Sequence, residues 1–133
     1  MFEYIVFITL LLACLIAYVL HKPSKNNNTE IDYCESYIER RLYKALQFRG
    51  YYVRTQVRCG KYRIDIALPS YRLAIECDGK AYHSSAEQKA HDRRKNAYLR
   101  RNGWRVLRFS GRQINGELSK VLARIEKALI NYR

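Results

Sequence analysis

The chain has 133 residues, with 25 Lys and Arg against 12 Asp and Glu, for a formal charge of +13. That length holds one modest domain with extras, and the basic surplus calls for a polyanion, either nucleic acid or anionic lipid. Cys14, Cys34, Cys59 and Cys77 form no C-x-x-C pair and no Cys/His metal spacing, which excludes a zinc module and a disulfide framework and leaves free thiols in a reducing compartment.

Tyr4 to Leu20 is a run without charge. As a helix it spans about 25 Å, the short end for a bilayer core of roughly 30 Å. A signal peptide would want a positive n-region and small residues before a cleavage site, whereas this chain has Glu3 ahead of the run and Tyr18-Val19-Leu20 at its end. Residues 1–21 are therefore read as a retained transmembrane anchor. His21, Lys22 and Lys25 follow at once, and the positive-inside rule then predicts a single-pass protein with its C-terminal domain in the cytoplasm. Residues 22–31 read as a polar linker and residues 32–133 as the functional domain.

From Asp32 to Arg49 the pattern is helical: Ile38, Leu42, Ala45 and Leu46 recur at three and four spacing, and Gly50 supplies a stop. Asp32 is the expected cap, with Glu35 three residues on. Glu35 and Glu39 lie one turn apart, where the ordinary reading is a surface acid paired with Arg40, Arg41 or Lys44. Tyr51–Val57 reads as a strand, Cys59-Gly60-Lys61 as a turn, and Tyr62–Leu68 as a second strand. Period-two alternation puts Ile64, Ile66 and Leu68 on one face of that strand and Asp65 on the other. After the Pro69 turn, Leu73, Ile75 and Cys77 share one face of a third strand, with Glu76 and Asp78 opposite.

Paired as a hairpin, these strands bring three carboxylates to one side of a small sheet. Like charges resist joint ionisation unless a cation sits among them, and hard oxygen ligands suit Mg²⁺ or Mn²⁺. A loop with Lys80 and His83 follows. Ser84 or Ser85 then caps a helix over Ala86–Asn102 that carries His91, Asp92, Arg93, Arg94, Lys95, Arg100 and Arg101. His91 reads as helix surface. Trp104–Ser110 is a strand, and Leu118, Val121, Leu122, Ile125 and Leu129 draw the apolar stripe of a packing helix. The order α-β-β-β-α-β-α describes an α/β domain with a mixed central sheet, its last strand parallel to its partner through a right-handed crossover.

As chemistry, a Mg²⁺ held by Asp65 and Glu76 keeps several waters and can polarise one against a phosphodiester. Lys80 and His83 are candidates to stabilise charge or move a proton. Arg93, Arg94, Lys95, Arg100 and Arg101 are candidates to hold a phosphate backbone. Together these parts describe a metal-dependent nuclease.

The combination Ile38-Glu39, Gln56, Tyr62-Arg63-Ile64-Asp65, Ala74-Ile75-Glu76-Cys77-Asp78-Gly79, His83, Asp92-Arg93-Arg94 and Gly103 to Phe109 resembles the DUF559 domain. That domain is related to the very short patch repair endonuclease, within the PD-(D/E)xK restriction-endonuclease-like group. The resemblance runs from about Tyr33 to the C-terminus. It implies an α-β-β-β-α-β core and Mg²⁺-dependent DNA cleavage, with Asp65 and Glu76 as metal ligands and Glu39 as an accessory acid. Asp78, a catalytic candidate with Asp65, Glu76, Lys80 and His83, stands where the broader group often has lysine, a role for which Lys80 is a substitute. The resemblance makes His83 a general base or water-orienting group and Asp92 an accessory acid. The expected partners are DNA and, through the N-terminal helix, a membrane, with a homodimer as one arrangement and no small-molecule cofactor. The alternative is a catalytically inactive nucleic-acid-binding module with a nuclease-like fold.

Overall fold

In the computed structural model, residues 2–20, 29–79 and 85–131 are described. Helix α1 spans Phe2–Leu20, and the side chains described on it, Tyr4 to Ile16, are exposed. Among the described residues no helix is long and apolar enough to cross a membrane. The expected transmembrane anchor is thereby corrected. The single-pass, cytoplasmic-facing assignment rested wholly on that span and falls with it.

Helix α2 (Tyr37–Phe48) starts later than its periodicity suggested. Ser36 is its cap and accepts from the Glu39 backbone N–H at 3.3 Å. Asp32 instead closes a capping box with Thr29 on a short 3-10 turn, Glu30–Tyr33. Ile38, Leu42, Tyr43 and Leu46 are buried, and Gly50, at φ +81°, takes the left-handed turn that ends the helix.

Strands β1 (Arg54–Cys59), β2 (Tyr62–Leu68), β3 (Leu73–Asp78) and β4 (Arg105–Ser110) form one sheet in that spatial order. The first three make an antiparallel meander, and β4 joins β3 in parallel through helix α3 (Ala86–Arg101). Gly60 turns between β1 and β2 at φ +57° with the Tyr98 ring against it, so no side chain fits there. Helices α4 (Gly111–Gly116) and α5 (Leu118–Ile130) complete the chain. The short α4 was not expected. Ser110 caps it through a box with Gln113, and Arg41 of α2 donates to its Ile114 carbonyl.

Two apolar layers flank the sheet. Helices α2 and α5 cover the larger, which holds Ile66, Leu68, Leu73, Ile75 and Phe109. Leu99 of α3 and Trp104 close the smaller with Ile64, Ala67 and Ala74. The strict alternation expected for β2 therefore fails at one point: Ile64 packs with the α3 layer and Ile66 with the α2 layer, so the strand is distorted at Asp65 between them. Arg72, at φ +49°, ties the β2–β3 turn to the end of α3, donating to the Asn102 carbonyl and lying over Trp104 at 4.7 Å.

Candidate active site

The β2–β3 ladder runs from Leu68↔Leu73 to Ile66↔Ile75 and stops. The next opposed pair is Asp65 and Glu76, where the strands part. Asp65 Oδ2 accepts the Cys77 backbone N–H at 2.8 Å, in place of a ladder bond. Glu76 is only 3 % exposed. Its Oε2 accepts from the Lys95 ammonium, which α3 lowers onto the sheet with 15 % of its side chain exposed. Glu76 Oε1 is buried and has no hydrogen-bond donor among the described residues.

Burial sets the electrostatics. It pushes Glu76 up to about 7; the Asp65 charge pushes the same way, and Lys95 opposes both. Asp65 is also raised, first by burial and then by Glu39 and Asp78, against the Cys77 N–H and Lys95. Burial likewise raises the Cys77 thiol far out of nucleophilic range.

The raised Glu76 has a consequence for stability. Between its ordinary 4.5 and its folded value near 7, the native state keeps a proton that the unfolded chain has lost. Stability of the metal-free protein is therefore expected to fall as pH rises through that window, by about 1–3 kcal/mol between pH 4.5 and 8. Urea unfolding in EDTA measures this. The slope should flatten in Glu76→Gln, and equal slopes in the two proteins would contradict the assignment.

The other predicted acids have different surroundings. Glu39, 6 % exposed, accepts from Ser36 Oγ at 2.7 Å through Oε1, and from the Glu35 N–H at 2.9 Å and Gln56 Nε2 at 3.1 Å through Oε2. Its charge reaches Asp65, but its oxygens are engaged. The ordinary surface reading of Glu39 is thus corrected, because the start of α2 turns it inward. Asp78 accepts a two-pronged contact from Arg108 on β4, at 3.0 and 2.6 Å, and the same guanidinium reaches Asp92 at 3.1 Å. Both acids hold Arg108 firmly protonated. Arg108→Leu would leave two half-buried carboxylates without their partner. It is expected to cost about 2–4 kcal/mol in urea unfolding at pH 7.5, and no loss would show the contact to be incidental.

Arg93, Arg94, Arg100 and Arg101 stand exposed on α3, while Lys95 points in. Lys80 and His83 lie outside the described residues. A cleft of about 290 Å³ opens beside Asp65 and Lys95, and Gln56, Lys61, Tyr62 and His91 line it too. His91, read from sequence as plain helix surface, sits edge-on to Tyr62 with centroids 5.8 Å apart. The available signal was its spacing of four from Lys95, which puts both on one side of α3. Nothing in the sequence marked Gln56 as strained.

Among the described residues no three His, Cys, Asp or Glu gather as a metal-binding group. The donor set that fits a hard cation is the Asp65–Glu76 pair, with one buried carboxylate oxygen lacking a donor among the described residues. Two carboxylates with water are a sufficient set for Mg²⁺.

The profile of the restriction-endonuclease-like family REase_MTES_1575 matches residues 38–129. The chain belongs to that family. Its match therefore spans all four strands of the sheet and the acids of the fork. YcjD of Escherichia coli (strain K12) is 33 % identical over 94 residues, covering 68 % of this chain and 78 % of YcjD. Among solved structures, the catalytic domain of the homing endonuclease I-Bth0305I superposes with a TM-score of 0.62 at 26 % identity, covering 73 % of this chain and 97 % of that domain. The four-stranded mixed sheet with its helices is thus the fold of an endonuclease domain.

Proposed function

We propose that the chain is a divalent-metal-dependent endonuclease hydrolysing DNA phosphodiester bonds, with residues 32–133 as its nuclease unit. The observation that carries this reading is the half-buried Asp65 beside the buried Glu76 at the fork of β2 and β3, with Lys95 on one Glu76 oxygen and no described donor on the other. Placing two carboxylates this close with so little solvent is unfavourable without a cation. The family membership and the endonuclease neighbour support the reaction class. The charge of +13 supports a polyanionic substrate.

In this reading Asp65 and Glu76 hold Mg²⁺ or Mn²⁺, and the bound ion supplies Lewis acidity toward the phosphate and an activated water. Lys95 orients Glu76 and offers its ammonium to the charge that grows on the phosphate oxygens. Arg93, Arg94, Arg100 and Arg101 hold the DNA backbone outside the cleft. Glu39 anchors the start of α2 beside Asp65 as the accessory acid, while Asp78 and Asp92 fix β3, β4 and α3 together through Arg108. The finer likeness to DUF559 and to very short patch repair endonuclease adds Lys80 as a second cation and His83 as the group that receives a proton or orients water.

The test is the full-length protein with supercoiled plasmid in Mg²⁺, Mn²⁺ or EDTA. Nicking in either metal and none in EDTA is expected. Salt-sensitive DNA binding with no cleavage in either metal would replace this reading with that of a nucleic-acid-binding module of nuclease fold.

A further inference from the structure

Gln56 is the one described non-glycine strand residue whose backbone turns left-handed, at φ +50°. A side chain in that region is strained, and glycine would relieve the strain. The neighbouring residues keep their partners, Thr55 opposite Ile66 and Val57 opposite Ile64, so Gln56 falls directly across from Asp65. This is also where β2 loses its alternation. The distortion is therefore confined to the strand position facing the fork.

The strain has an identifiable result. The Gln56 amide reaches Glu39 through Nε2 at 3.1 Å, and the residue lines the cleft shared by Asp65, Lys95 and His91. With Nε2 committed to a buried carboxylate, the orientation of the amide is set. Its Oε1 accepts from no described residue and is not among the buried atoms lacking a partner. An amide acceptor on a residue lining this cleft repels phosphate oxygens and attracts a donor, and the donor that the proposed hydrolysis brings there is water.

We propose that Gln56 orients the attacking water, using the Glu39 contact to aim its carbonyl and the left-handed backbone to place the amide at the fork. This inference rests on the hydrolytic reading above. The amide does no covalent chemistry and takes no proton; it fixes the direction in which the water presents its lone pair.

The test compares full-length wild type, Gln56→Gly and Gln56→Asn on plasmid DNA in Mg²⁺, with thermal unfolding of each. Both replacements accept the left-handed backbone, and neither carries an amide of the right reach. The expected result is a melting temperature within a few degrees of wild type or above it, a kcat at least tenfold lower, and KM for DNA within about twofold. Either variant folding and cutting at the wild-type kcat overturns the inference while leaving the nuclease reading intact. A fall in rate only in step with a lowered melting temperature also overturns it, by assigning Gln56 to the fold alone. A wild type that binds DNA and never cuts it removes the nuclease reading, and this inference with it.

Discussion

Glu76→Gln is expected to lower metal-dependent nicking about 10³-fold while the DNA dissociation constant stays within about twofold. The substitution keeps the volume of a side chain that is 3 % exposed, so the sheet should hold its packing. It removes the anionic charge and puts an amide where Oε1 now stands without a described donor. Binding should persist because Arg93, Arg94, Arg100 and Arg101 lie on the exposed side of α3, away from the fork. Asp65→Asn should behave alike, since the two carboxylates act as one unit and their effects will not add. A Glu76→Gln protein that cuts within tenfold of wild type would place the chemistry elsewhere.

The second large effect is expected at Lys95. Lys95→Met keeps the length and the apolar stem and removes the ammonium from Glu76. Lys95 opposes the upward push on both Glu76 and Asp65. Without it both carboxyls hold their protons to higher pH, so metal affinity falls and the rate profile moves to more alkaline pH. The direct loss of charge stabilisation adds to this, for a total of about 10²–10³-fold at pH 7.5. A pH–rate series distinguishes the two parts. An unshifted profile with a uniform drop would mean that Lys95 touches only the phosphate and leaves Glu76 alone.

Much of the architecture was readable before any coordinates. The order of the four strands, the placing of α2, α3 and α5 among them and the parallel last strand follow from periodicity, turn residues and the handedness of crossovers, and the structure has them with the short α4 added. The nearness of Asp65 and Glu76 follows from two short strands joined by a Pro69 turn. What period-two reasoning missed is that the strands part at these residues. Ile64 and Ile66 end in different layers because the chain twists at Gln56 and Asp65. No local composition marks such a point.

The inward turn of Lys95 was hidden for a related reason. On α3 it is one of six Lys and Arg residues, and only the sheet beneath distinguishes it from Arg93 and Arg94. Asp78 belongs to a third case. Its position two residues after Glu76 suggested a place in the acidic cluster, but Arg108 comes from a strand thirty residues away and takes both of its oxygens. Capping chemistry decided the start of α2: Ser36 competes better than Asp32, which Thr29 had already engaged. For α1, the apolar run read as a full bilayer span, and the described helix does not supply one.

The central claim is that Asp65 and Glu76 together hold the cation that makes this fold cut. Anomalous scattering from crystals grown or soaked in Mn²⁺ tests it most directly. The account predicts one strong peak bound by oxygens of both residues at roughly 2.0–2.3 Å, with Glu76 Oε1 among the ligands. No peak there at Mn²⁺ concentrations that support nicking, or a peak seated instead on Asp78 and Asp92, would contradict it.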